Sequence, residues 1–265
     1  MIFNGARVRV VDLSATIAPS PPEVPDWQRT DIVYNDHAAG AREMEQLFGV
    51  PAKLLRGGEG PATELFTRFG THNSTHVDAP RHYNSVIGGE PARPVDELPL
   101  DWFIGPGVRL DMRGREDGDS ITVEDIERAL DHTAVELAGG EIVLVHTGCD
   151  IYYGQPDYAA HGPGVTAAAT EWLYDRGVRV MGIDAWGWDA PVALQAAEAV
   201  ARGEAGIFWA AHQIDREYAQ IERMVNLGAL PEAGFLVACL PLKIKGASAG
   251  PTRAVALVPA EPMAR

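Results

Sequence analysis

The sequence predicts an α/β protein, a single domain over residues 1–265 built on a mixed β-sheet. Three observations predict it. Apolar strand-like runs alternate with helix-forming stretches through the second half of the chain. Hairpin-like pairs of runs stand at both ends. The length of 265 residues suits one large domain, and the chain has no internal repeat, heptad run or block of like charge that would point to an array or an added module.

Ala6–Leu13 opens the sheet as an alternating strand, and the proline-rich run after it is extended and irregular. In that run Asp12 and Ser14 are expected to serve turn bonding. Glu43–Phe48 reads as a helix closed by Gly49 and Pro51. Glu64–Phe69 alternates as a strand, and Gly107–Met112 is another. Thr122–Leu130 reads as a helix, with Ser120 or Thr122 at its N-cap and acidic residues in its first turn. Glu141–Thr147 is a strongly apolar run of the kind found in a buried strand. Thr166 caps an alanine-rich helix to about Arg176, Val178–Ile183 is the next strand, and Asp184 at its end is either a pocket-rim residue or a turn cap. Ala193–Trp209 is helical, with a break at Gly203 or Gly206. Gly234–Ile244 is an apolar strand through Pro241, and the run from Pro251 is expected to pair with it as a closing hairpin.

Composition narrows the function. Net charge is −15, which argues against nucleic acid or an anionic membrane surface as partner. No stretch approaches the 18 apolar residues of a membrane span, and no leader pattern is visible, so a cytoplasmic enzyme is the expectation. Cys149 and Cys239 lie in apolar contexts and read as buried free thiols. Lys245–Gly250 contains Gly-x-Ser-x-Gly around Ser248, but a strand rather than a helix follows it, so a serine nucleophile elbow is rejected.

The informative stretch is His72–His82, HNSTHVDAPRH, which puts three of the eight histidines and one aspartate into eleven residues. His72, His76, Asp78 and His82 are all even-numbered. On a strand, alternate side chains share a face, so a short strand ending at Pro80 would bring His72, His76 and Asp78 to one point with His82 at its rim. Two imidazoles and a carboxylate form a common set for a divalent ion that keeps positions open for water and substrate.

The pattern His-x-x-x-His-x-Asp-x-Pro-x-His resembles the signature of the metal-dependent cyclase family, which includes kynurenine formamidases, isatin hydrolases and trans-dienelactone hydrolases. Members usually read His-x-Gly-Thr-His; here Ser74 holds the glycine position. The resemblance extends from Asp12 to Val258, through the Val-Asp-Glu-Leu step at Val95–Leu98 and the closing Pro-Leu-Lys-Ile at Pro241–Ile244. It implies a fold of the swivelling β/β/α kind and assembly as a homodimer or homotetramer. It also implies that His212 and Glu222, the latter in a Glu-x-x-x-Asn-Leu context, complete a second metal position.

The expected function is that of a metal-dependent hydrolase, in which a metal-activated water attacks the amide, cyclic amide, imide or lactone carbonyl of a small molecule. His82 is the candidate proton-transfer residue. The metal ligands expected are His72, His76, Asp78, His212 and Glu222, holding one or two ions of Zn2+ or Mn2+, both of which such ligands accept. Trp186, Trp188, Trp27 and Tyr83 are candidate aromatic contacts to a ring. The alternatives are a lactonase or cyclase acting on a ring ester, and a non-catalytic metal or small-molecule binding protein on the same fold.

Overall fold

A computed structural model describes residues 1–3, 5–133 and 135–260. The described residues form two compact units, one of residues 1–16 together with those from Ser74 onward and the other of Ile17–Asn73.

The larger unit is organised on a ten-stranded sheet. Its strand order is Ile2–Phe3, Ala6–Asp12, Val255–Pro259, Phe235–Ala238, Ile104–Asp111, Ile142–His146, Val180–Ile183, Ala219–Glu222, His76–Asp78 and Ala249–Pro251. The central four, from Ile104–Asp111 to Ala219–Glu222, run parallel. Parallel neighbours need crossovers; helices Val123–Thr133, Ala167–Asp175 and Val192–Arg202 lie in the three connections. Every pairing outside that block is antiparallel, so the sheet is mixed, as the sequence predicts.

Burial follows the alternation of the strands. In Ile142–His146, Val143 and Val145 pack with Ile126, Leu173 and Trp188 on one face. Ile142 and Leu144 pack with Val77, Ile221 and Val237 on the other. That two-sided burial explains why the run has no polar residue before His146. Thr122 caps its helix with Asp125, each bonding the other's end of the first turn, and Thr166 Oγ1 accepts from Ala169 N at 3.2 Å. The helix expected over 193–209 ends at Arg202, where Gly203 takes a left-handed conformation at φ 64°. Cys149 and Cys239 are free and buried.

The sequence reading of the C-terminus needs correction. The strand Val255–Pro259 pairs with Phe235–Ala238 as expected, but Ala249–Pro251 lies at the far edge of the sheet against His76–Asp78. Periodicity identifies a strand without naming its partner. Ser248 precedes this edge strand, and its carbonyl accepts from Ala79 N at 2.8 Å.

The smaller unit holds an antiparallel pair, Asp31–Asn35 with Thr63–Arg68, and a helix, His37–Phe48. Asp36 caps that helix by accepting from Ala39 N, and Gly49 ends it at φ 68°. Gly40 is required by contact: a Cβ there would lie 2.0 Å from Pro61 O. Among the described residues no helix is long and apolar enough to cross a membrane.

Candidate metal centre

The centre is made by strand register. Ala219–Glu222 and His76–Asp78 pair antiparallel, with Glu222 opposite His76 and Gln220 opposite Asp78. Directly opposed residues point to the same face, with Cβ atoms about 5 Å apart. His76, Asp78 and Glu222 therefore converge, and each offers a ligand atom within 4.8 Å of the others. His76 Nε2 lies 3.2 Å from Asp78 Oδ1 and 3.6 Å from Glu222 Oε2. All three residues are buried.

Both imidazoles at this centre are oriented through Nδ1. His76 Nδ1 donates to Ser74 O at 2.9 Å, which leaves Nε2 for the carboxylates. His212 Nδ1 bonds Asp189 Oδ2 at 2.5 Å, and its Nε2 stands 3.4 Å from Glu222 Oε1. Asp189 is itself fixed by Ala211 N and His212 N. Burial disfavours the charged form of His212, but its hydrogen bonds to Asp189 and Glu222 outweigh burial and raise its pKa to about 10. An ion taking Nε2 must therefore displace a proton. Glu222 Oε1 also accepts from Trp188 N at 2.9 Å.

His82 stands at the rim, on the short helix Pro80–Tyr83, with Nε2 4.0 Å from Asp78 Oδ2. Pro80 occupies the first turn of that helix, where its missing N–H costs no bond. Trp209 stacks on His212, with ring centroids 5.2 Å apart, and sits 5.3 Å from the His82 ring. A cavity of about 320 Å³ opens beside His82 and is lined also by Arg81, Asn84 and Ser85.

The donor set fits a divalent cation. Two buried carboxylates held this close repel each other, and that repulsion is costly away from bulk water. Oxygen and imidazole donors together suit zinc or manganese alike.

The Cyclase family model matches residues 11–190. The chain belongs to the Cyclase family. It is 28% identical to the isatin hydrolase of Roseibium aggregatum over 96% of this chain and 93% of that protein. It is 30% identical to the kynurenine formamidase of Paracidovorax citrulli over 71% of this chain and 77% of that one. Among solved structures, isatin hydrolase A from Ralstonia solanacearum superposes with a TM-score of 0.73 at 26% identity, covering 95% of this chain and 92% of that one. This Cyclase-family protein is a metal-dependent hydrolase.

The strand expected through the motif is shorter than the sequence suggests. It runs only from His76 to Asp78, because Ser74 adopts a left-handed conformation at φ 59°. His72 lies in the smaller unit, half-buried on the turn four residues before His76. Asp184 is a buried acceptor for Thr147 N, Thr147 Oγ1 and Gly148 N, which makes it a tie between strand ends. Trp188 is fully buried with its indole bonded to Thr170, and Tyr83 is buried with its hydroxyl on Tyr218 O, so both are core. Trp27 is exposed in the smaller unit.

Sequence reasoning missed Asp189 and Trp209. The signal for Trp209 is absent, because its backbone at φ 58° is unusual for a tryptophan and nothing local announces it. Among the described residues, the non-glycine positions with positive φ are Ser74, Trp209, Arg223 and Asn226. Such conformations cluster at functional sites.

Proposed function

We propose that this hydrolase acts on the carbonyl of a small amide, cyclic amide, imide or lactone. The observation that carries the reading is the convergence of His76, Asp78 and Glu222 on one face of the sheet, with His82 at its rim. The substrates named for the isatin hydrolase and kynurenine formamidase relatives support the bond class.

His76, Asp78, Glu222 and His212 would hold the metal, and by the sequence motif His72 belongs to the same set. Asp78 and Glu222 would supply the negative charge that offsets one or two such ions. A divalent ion bound there supplies a Lewis acid and lowers the pKa of a bound water to about 7. In the reaction, water adds to the carbonyl carbon, the C–N or C–O bond breaks, and a proton reaches the leaving nitrogen or oxygen. His82, at the rim of the centre, would carry that proton, a contribution of about 10² to 10⁴ in rate. Asp189 holds the His212 ring, and Trp209 walls the side of the site between His212 and His82. Zn2+ or Mn2+ as the ion, a homodimer or homotetramer, and cytoplasmic residence belong to the same proposal.

The test is metal analysis of the purified protein, followed by a panel of formamides, cyclic imides and lactones. Turnover of formamides or imides with bound metal supports the amidase reading, and turnover of lactones alone replaces it with a lactonase. Stoichiometric metal with no turnover of any carbonyl compound favours a binding protein.

A further inference from the structure

Arg223 follows Glu222 directly, and its backbone is tied into the walls of the metal centre. Its N–H donates to Ala185 O at 3.0 Å, and its carbonyl accepts from Thr75 Oγ1 at 2.6 Å. One anchor lies just beyond the Val180–Ile183 strand, and the other is the residue before His76. Between them Arg223 is held at φ 57°. An L-residue in that region costs about 1 kcal/mol or more, and such strain persists where the surroundings impose it, often at ligand clamps.

The side chain is unusual in its company. Arg223 is 8% exposed, its guanidinium lies 4.7 Å over the Trp186 ring, and Nε donates to Trp186 O at 3.3 Å. Its two Nη groups have no protein acceptor among the described residues, and no carboxylate lies within 4.0 Å of it. The neighbouring Glu222 is committed elsewhere, to Trp188 N and to the two imidazoles. Arg109, the other arginine buried this deeply, is held 3.1 Å from His146 and 3.4 Å from Asp111. The contrast matters in a chain of net charge −15, where acidic partners are plentiful. Neither Nη is a buried atom, so the edge of the fork is open to solvent and to a ligand that enters from it. Stacking on Trp186 fixes the plane of the fork, so its remaining N–H groups form a rigid edge that matches a carboxylate in bidentate geometry.

We propose that Arg223 is a positioning residue that grips a carboxylate at the active site, and that this sets the substrate class. The inference rests on the hydrolase reading above. The carboxylate has two sources, one carried by the substrate and one created when the scissile bond is hydrolysed. The chemistry of recognition is the same for both.

The experiment compares wild type, Arg223→Met and Arg223→Lys, each metal-loaded and checked for folding by thermal melting. An N-formyl arylamine is assayed with and without a ring carboxylate, and benzoate, which stands for the ring carboxylate, and formate, which hydrolysis of either compound creates, are titrated calorimetrically. If the substrate carries the group, Arg223→Met raises KM about 10- to 100-fold for the carboxylated compound alone and weakens benzoate by a similar factor, with kcat and formate affinity little changed. If the product carries it, formate binding weakens by a similar factor and KM for both compounds holds. Arg223→Lys, which keeps charge but loses the fork, recovers part of either effect. Equal KM and equal affinity for both anions in wild type and folded Arg223→Met overturn the assignment. Absence of wild-type turnover across the full carbonyl panel instead overturns the hydrolase reading, and the two titrations still decide Arg223.

Discussion

His76 and Glu222 face each other across one antiparallel rung, with Nε2 of the first 3.6 Å from Oε2 of the second. The metal centre is therefore a property of sheet pairing. The motif around His76 supplies one half, and a strand from the far end of the chain supplies the other.

Removing Glu222 is expected to disable the centre without unfolding the sheet. Glu222→Gln keeps the shape and the bond from Trp188 N but loses the charge that offsets a cation. We expect metal content to fall below half and kcat/KM to fall at least 100-fold, checked by elemental analysis beside steady-state kinetics.

Asp189 makes no direct approach to His76 or Asp78, yet it sets the ring of His212. Asp189→Asn is expected to weaken metal affinity or activity about 10- to 100-fold. A metal titration separates this from general damage, because Asp189→Asn retains an acceptor for Ala211 N and the melting temperature should move only a few degrees.

Ser74 occupies a glycine conformation at φ 59°, and its hydroxyl donates to Ala15 O at 3.0 Å. Glycine there relieves backbone strain of about 1 kcal/mol and gives up a hydrogen bond of similar size. Ser74→Gly is thus expected to be near neutral, within about 1 kcal/mol. Ser74→Val keeps the strain, adds a β-branch and loses the bond, so it should cost about 2 kcal/mol or more. Denaturant melts of the two variants check the order.

Asp125 gives the acid limb of stability a definite sign. Burial pushes its pKa up, but bonds from Thr122 and the Arg115 guanidinium, 2.7 Å away, outweigh burial and bring it down to about 2 from an ordinary 3.8. A depressed carboxyl contributes stability that is complete above its unfolded pKa and is lost as pH falls through its folded pKa. Between about pH 4 and pH 2 the wild type should lose that contribution. Asp125→Asn should be less stable at pH 7 and lose less over the same interval, measured by urea unfolding at each pH.

Legibility in the sequence followed the range of the interactions. His76 and Asp78 were readable because a strand's two-residue period puts them on one face. The helix caps at Thr122 and Thr166 were readable because capping is local. The pairing of Ala249–Pro251 with His76–Asp78 was not, since any alternating run forms a strand and its partner is chosen by the whole sheet. Asp189 was hidden for the same reason. A lone aspartate after Trp-Gly-Trp gives no sign that it will meet His212 across a loop. Glu222 and His212 were reached only through resemblance to a family, because nothing local distinguishes a buried strand carboxylate from an exposed one.

The most direct test of the central claim is activity against metal content in one preparation. Chelation should remove metal and turnover together, and adding back Zn2+ or Mn2+ should restore both in wild type but not in His76→Ala. Full turnover of a formamide or imide by demonstrably metal-free protein would contradict the account.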